Sequence, residues 1–220
     1  MAPSFPAVYV VDDDPSFLAA VSRLLRAAGF EAKTFSSAKM FLGDLTPDAQ
    51  GCVIADLKMP GISGLDLQQA LSNSDNPMPV IFLTGRGDIP TSVRAMKRGA
   101  EDFLTKRASK EELLDAVKRA LARDAQARDE RARLRELRAR FDALTPRERD
   151  VLAHVLQGQL NKQIAFDLAI TDRTVKVHRG SFMRKLRVQS VAELTRLVQD
   201  AGLFKNGQLV LKPETYPSRL

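Results

Sequence analysis

With 220 residues the chain exceeds one ordinary domain, and its 44% hydrophobic content supplies a core for each of two. The single Cys52 excludes a disulfide framework, no run approaches the ~20 apolar residues of a membrane span, and Met1 to Pro6 lacks the basic start of a targeting signal, so a cytoplasmic location is expected. The net charge of +7 is uneven: residues 1–121 carry 14 Lys/Arg against 15 Asp/Glu, 122–140 carry 7 against 4, and 141–220 carry 13 against 8, which points to a polyanionic partner for the C-terminal part.

The first half alternates short apolar runs with helical patterns. Strands are expected near 7–11, 31–35, 51–56, 79–84 and 102–105, and helices near 15–28, 37–45, 64–72 and 89–98. Parallel strands require such crossovers, so the reading is an α/β unit with a five-stranded doubly wound parallel sheet. Its strands end on chemistry. Ala7–Val11 runs into Asp12-Asp13-Asp14, Cys52–Ala55 into Asp56, Val80–Leu83 into Thr84, and Asp102–Thr105 into Lys106. In a parallel sheet these ends share one edge, the crevice where open α/β sheets place their ligands.

Crowded carboxylates resist ionisation unless a cation bridges them, and the hard ion Mg²⁺ suits carboxylate, water and phosphate oxygens. Asp56 can attack phosphorus as a carboxylate to give an aspartyl phosphate. Lys106 would then balance charge on the phosphoryl oxygens, and Thr84 could turn its hydroxyl to a new acceptor. The plainer reading makes Asp12-Asp13-Asp14-Pro15 a helix N-cap and Asp56 a turn residue. Four strand ends with complementary groups favour the site.

The order Asp12-Asp13, Asp56, Thr84, Phe103, Lys106, with Met59-Pro60-Gly61-Ile62-Ser63-Gly64 after the middle Asp, resembles the receiver domain of two-component response regulators over residues 7–121. The resemblance implies a flavodoxin-like receiver fold, with Asp56 as phosphoacceptor and Mg²⁺ held by Asp12, Asp13, Asp56 and the backbone carbonyl of Lys58. It implies Thr84 and Phe103 as the switch residues and Lys106 as the catalytic cation. One position departs from the pattern. Such receivers usually carry Pro after the Lys, often in a cis bond, and here Arg107 follows. A non-proline cis bond costs about 2.5–4 kcal/mol, so a trans or strained bond is expected and the aim of Lys106 is open.

A fifth helix is expected from the capping box Ser109-Lys110-Glu111-Glu112, and helix formers then continue without Gly or Pro to Pro146. Within this stretch 122–140 reads as a helical linker. Leu113, Ala116, Ala120, Arg123, Ala127, Glu130, Leu134, Leu137, Phe141 and Leu144 fall at heptad spacing, apolar at both ends and weak in the middle. The linker is thus either a solvated helix or a candidate coiled coil that pairs with a second chain.

Residues 141–202 read as four short helices in an all-α unit. Thr145-Pro146-Arg147-Glu148 is a capping box, Asn161–Leu168 and a helix from about Asp172 to Arg187 flank a turn at Ala169-Ile170-Thr171, and Ser190-Val191-Ala192-Glu193 opens the last. That is a helix-turn-helix. In its second helix Val175, Phe182 and Leu186 form a core stripe, leaving Arg173, Lys176, Val177, Arg179, Gly180 and Arg184 mostly outward. Basic and aliphatic side chains near a helix N-terminus suit base edges in a major groove. His154 reads as core, and residues 203–220, with Pro213 and Pro217, as a loose tail.

Leu144–Arg149, Asn161–Ala165, Thr174–His178 and Lys185-Leu186 resemble the LuxR-type DNA-binding domain of the NarL/FixJ response regulators, and the whole order resembles the FixJ-like branch. The resemblance implies base contacts from Lys176, Val177 and Arg179, and phosphate contacts from Lys162, Thr174 and Lys185. The position of Gly180 more commonly carries a longer polar side chain.

The expectation is a double-stranded-DNA-binding transcription factor, phosphorylated on Asp56 by a sensor histidine kinase, forming a homodimer on phosphorylation and able to engage RNA polymerase. No enzyme activity on external substrates is expected. Phosphohydrolases with an Asp nucleophile often need a second Asp two residues on, where this chain has Lys58. The alternative is a phosphorylation-independent DNA-binding regulator whose receiver is a scaffold.

Overall fold

The computed structural model describes residues 6–74, 76–85, 89–205 and 208–209. Two compact units divide between Asp129 and Glu130. The N-terminal unit holds β1 (Ala7–Val11), α1 (Pro15–Ala27), β2 (Glu31–Phe35), α2 (Ala38–Asp44), β3 (Gly51–Ala55), α3 (Gly64–Ser72), β4 (Val80–Thr84), α4 (Ile89–Lys97), β5 (Asp102–Thr105) and the start of α5 (Lys110–Asp142). The strands are all parallel in the order β2-β1-β3-β4-β5, as the alternating pattern predicts.

Side chains of successive strand residues point to opposite faces, so β1 feeds two cores. Tyr9 and Val11 pack with Phe41 of α2 and Leu67 and Leu71 of α3, while Val8 and Val10 pack with Leu18, Val21 and Leu25 of α1 and Leu113, Ala116, Val117 and Ala120 of α5. The central strands β1, β3 and β4 are buried throughout. The edge strand β2, with Glu31, Lys33 and Thr34 exposed, keeps its polar residues in water. Cys52 is fully buried in β3, and burial first, then the charges of Asp124 and Glu101, push its thiol up to about 12. It is an inert core thiol.

The C-terminal unit holds the end of α5 with α6 (Pro146–Leu156), α7 (Asn161–Asp167), α8 (Asp172–Leu186) and α9 (Val191–Asp200), followed by two short strands, β6 (Phe204–Lys205) and β7 (Gln208–Leu209). Its core joins Leu137, Phe141 and Leu144 to Val151, Leu152, Ile164, Val175, Phe182, Leu186, Leu194 and Val198. Thr145 caps α6 in the predicted box with Glu148, and Ser109 and Glu112 exchange the reciprocal bonds of theirs. The hairpin of β6 and β7 was not expected in the tail; Pro213 and Pro217 lie outside the described residues.

The heptad positions have uses inside each unit. Leu113, Ala116 and Ala120 belong to the sheet-side core, and Leu137, Phe141 and Leu144 to the helical core. Between them Arg123, Ala127 and Glu130 are exposed and Leu134 is half-buried. The apolar ends that suggested a coiled coil are therefore consumed in folding the two units, which leaves the middle of the helix little to pair with.

Candidate functional site

The carboxyl ends of the strands build an acidic edge. Asp12 follows β1 and is 1% exposed; its Oδ1 accepts the Asp14 N–H at 2.9 Å. Asp14 in turn accepts the N–H groups of Ser16 and Phe17 and caps α1. The acidic triplet thus serves both sequence readings at once, Asp14 as cap and Asp12 with the exposed Asp13 as part of the cluster. Asp56 follows β3, and its N–H donates to the Val11 carbonyl at 2.9 Å, which carries the β1–β3 pairing one residue further. Asp12, Asp13 and Asp56 each offer a carboxylate oxygen within 4.8 Å of the others.

Asp56 is held under tension between burial and charge. It is 8% exposed, and its Oδ1 is buried without a hydrogen-bond partner among the described residues. Burial raises its pKa, Lys106 pulls it back and Asp12 pushes it up again, leaving it above the ordinary carboxylate value. An anionic, all-oxygen donor set with an unpartnered buried oxygen fits a hard divalent cation such as Mg²⁺. Lys58 lies in the turn beyond Asp56 with its side chain in water.

Lys106 closes the edge. Its N–H donates to the Thr84 carbonyl at 2.8 Å, and its ammonium lies 2.6 Å from Asp12 Oδ2 and 3.9 Å from Asp56 Oδ2. The Lys106–Arg107 bond is trans, as are all peptide bonds among the described residues, and the ammonium still reaches the carboxylates. Thr84 ends β4 with 2% exposure and pairs with Thr105 of β5, while Phe103 pairs with Phe82, its half-buried ring 6.1 Å from that of Phe82.

Two contributors were given no role by the sequence. A side chain at Gly64 would bring a Cβ within 2.3 Å of the Asp56 carbonyl, so the start of α3 can pack against Asp56 only through a glycine. The ring of Phe17 lies under the Lys106 ammonium, 4.3 Å from centroid to nitrogen. Gly64 was visible as the glycine that opens a helix; nothing in the sequence marked Phe17.

The helical unit presents α8. The positions opposite the buried Val175, Phe182 and Leu186 are Arg173, Val177, Gly180 and Arg184, all exposed, with Val177 at 63%. Lys176 is exposed beside them and pairs with Asp172 at 2.9 Å, and Lys162 is exposed on the first turn of α7. Thr174 shares a 2.8 Å hydrogen bond with Thr171, the cap of α8.

Three residues have partners that the sequence does not announce. Arg179 is half-buried and donates to the Asn161 side chain at 2.8 Å, because it lies one turn from Val175 at the shoulder of the helix. Lys185 is engaged inside the unit by Glu148 at 2.7 Å and by the Ala143 carbonyl at 3.2 Å. His154 is no plain core residue, since its Nδ1 lies 2.5 Å from Gln159 Oε1. Glu148 itself is 3% exposed: burial opposes its charge, but hydrogen bonds from Lys185, Ser181 and the Thr145 N–H prevail and lower it to about 2.

The family model for the response regulator receiver domain matches residues 8–118, and that for bacterial regulatory proteins of the luxR family matches residues 142–198. This chain belongs to the NarL/FixJ family of two-component response regulators. It is 45% identical over 192 residues to the response regulator protein TodT of Pseudomonas putida, covering 87% of this chain and 85% of TodT. It is 42% identical over 204 residues to the transcriptional regulatory protein FixJ of Azorhizobium caulinodans, covering 92% and 96%. Among solved structures, the response regulator StyR matches with a TM-score of 0.78 and 46% identity over 88% of this chain and 98% of that one. Like its relatives, this response regulator joins a receiver to a LuxR-type DNA-binding domain and acts in transcription rather than as an enzyme. A histidine kinase and DNA are the partners that this pairing of domains implies. Among the described residues no helix is long and apolar enough to cross a membrane.

Proposed function

We propose that Asp56 is the phosphoacceptor of this response regulator, and that its modification in the cytoplasm drives two chains together on DNA. The observation that carries this reading is the buried Asp56 Oδ1, which accepts no hydrogen bond from the described residues and sits within a cluster of carboxylates beside an ammonium. A carboxylate left incompletely satisfied is free to form a bond to phosphorus. One Asp56 oxygen forms the O–P bond as the donor's P–N bond to histidine breaks, and the leaving imidazole nitrogen retains the electron pair and takes a proton. Asp12, Asp13, Asp56 and the Lys58 carbonyl would hold Mg²⁺, which when bound neutralises charge gathering on the phosphoryl oxygens.

Lys106 then exchanges its Asp12 contact for a phosphoryl oxygen, and the Thr84 hydroxyl, with Phe103, registers the new acceptor. The change is a local gain of charge that biases a two-state element. Val93 and Met96 of α4 are exposed apolar side chains, which supports a dimer surface on the face of α4, β5 and α5. On DNA, Val177 and Lys176 read base edges, while Lys162 and Thr174 meet phosphates; the exposed Arg173 and Arg184 join them. Arg179 braces the reader through Asn161, and Lys185 anchors α8 through Glu148. A dimer would place two such helices in half-sites about 34–36 Å apart, and could present a surface to RNA polymerase.

Treatment with acetyl phosphate and Mg²⁺, followed by mass and sedimentation, tests the reading. One added phosphoryl group and a shift to dimer are expected. An unchanged mass would leave the receiver a scaffold, and a phosphorylated monomer would remove the dimer switch.

A further inference from the structure

We propose that Phe17 is a positioning residue for phosphoryl transfer, its ring face holding the Lys106 ammonium between the two carboxylates it must serve in turn. The inference rests on the assignment of Asp56 and Lys106 made above. Three distances carry it: the ammonium is 2.6 Å from Asp12, 3.9 Å from Asp56 and 4.3 Å from the centroid of the Phe17 ring. A cation over an aromatic face is attracted by the ring's quadrupole, within a range of about 6 Å. Unlike a third carboxylate, the ring attracts without forming a directional hydrogen bond. The ammonium can therefore shift from Asp12 towards new oxygens on Asp56 and stay in contact throughout.

The loop that carries Lys106 makes such a guide useful. The residue after it is Arg107, so no proline ring stiffens the turn, and the Lys106 backbone is tied by its N–H to the Thr84 carbonyl. Beyond that tie, the four-carbon stem is flexible. Phe17 is fixed in position by its own backbone, since Asp14 caps its N–H at the start of α1. A cavity of about 200 Å³ lies beside the ring, lined also by Leu24, Leu83, Thr105 and Leu113, so the ring is not locked on that side by close packing. The cation thus lies over the ring of a half-buried aromatic.

The test is a double-mutant cycle on the full chain, read as the rate of acetyl phosphate uptake at saturating Mg²⁺. In that reaction the Asp56 O–P bond forms as the acetyl O–P bond breaks and acetate leaves. Phe17→Leu, apolar but without a quadrupole, should slow uptake by about threefold to tenfold, and Phe17→Tyr should restore it to within about twofold. In a Lys106→Ala background, Phe17→Leu should change the rate no further. A slowing of the same size in both backgrounds, or failure of Tyr to rescue, makes Phe17 a packing residue and overturns the inference. So does a Phe17→Leu rate equal to that of the unaltered chain. Failure of the underlying assignment looks different: Lys106→Ala would then leave uptake unchanged, or Asp56→Asn would still accept the phosphoryl group.

Discussion

The acidic edge of the receiver and the reading face of α8 handle polar groups in opposite ways. At the edge three carboxylates cluster, two of them pair with the Lys106 ammonium, and a buried Asp56 oxygen has no hydrogen-bond partner among the described residues. On α8 three basic side chains are occupied: Lys176 by Asp172, Arg179 by Asn161, Lys185 by Glu148. A reactive site has to keep a polar group under-satisfied in order to form a bond there, whereas a docking face can keep its cations neutralised until a partner exchanges for them. The exchange is easy for the exposed Lys176 pair, because surface ion pairs are worth little. It is hard for Lys185, whose partner is buried. On the proposed reading, the contrast separates side chains that would meet DNA from those that hold the helix.

The largest effect expected tests the reactive side. Asp56→Asn should abolish phosphoryl uptake, and because it removes a charge from a crowded cluster it should also raise the thermal stability of the receiver. Asp13→Asn should keep the acceptor and weaken the dependence on Mg²⁺. Intact-mass measurement with a melting curve reads both. A fully phosphorylated Asp56→Asn protein would move the acceptor elsewhere, and a destabilised one would show that the cluster is not strained.

The two regions also differ in how well the sequence disclosed them. The edge was legible because strand ends converge by topology alone: once the sheet is parallel, Asp12, Asp56, Thr84 and Lys106 must meet. Their mutual distances needed no knowledge of rotation about an axis. On α8 the residue types were legible but the direction of each was not. One residue's rotation is about 100°, so Arg179, assigned mostly outward, falls at the shoulder with Asn161. Contacts between helices were beyond reach as well. Glu148 was legible as a capping residue, and nothing in its local pattern announced Lys185, 37 positions along the chain. The heptad of α5 was ambiguous for a related reason: an apolar repeat states that positions are buried, and leaves open whether a second chain or the unit's own core buries them; its apolar ends lie in the two cores.

On the docking side, Glu148→Ala should destabilise the DNA-binding unit by about 2–4 kcal/mol, since it removes a cap bond and leaves Lys185 without its buried partner. The same pair sets an acid sensitivity. A carboxylate lowered from 4.5 to about 2 contributes stability that is complete above the ordinary value and is lost as pH falls through that interval. Denaturant midpoints for the C-terminal unit should therefore drop between pH 5 and about pH 2 in the unaltered chain and change less in Glu148→Gln. Equal acid responses would mean that Lys185 does not depend on the charge.

A smaller effect distinguishes reading from holding. Lys176→Ala or Val177→Ala should cost about 1–3 kcal/mol on the operator and little on random duplex, while Lys162→Ala should weaken both alike and lower the salt slope by about one. Arg179→Lys should act with the first group only if Asn161 fails to hold the new side chain, because the guanidinium fork that bridges α8 to α7 is lost. Titrations of both duplexes at several salt concentrations make the division. Equal losses on both duplexes for Lys176→Ala would remove α8 as the reader.

The smallest effect bears on Gly180. A glycine inside a helix is less stable than alanine by about 1 kcal/mol, and here nothing in the chain requires it: a Cβ at Gly180 would meet no atom within 4 Å. The free protein therefore gains nothing from the missing side chain, on a ridge shared with Arg173, Val177 and Arg184. If that ridge enters the groove, the gap is space that DNA occupies. Gly180→Ala should then raise the melting temperature of the unit and weaken operator binding at the same time, opposite signs that no change in folding alone can produce. Arg173→Ala, on the same face, should weaken binding without the gain in stability. A more stable Gly180→Ala protein that binds the operator as well as before would place the DNA surface away from this ridge, towards Lys176 and the α7 turn, and would leave the glycine a tolerated defect of an exposed helix.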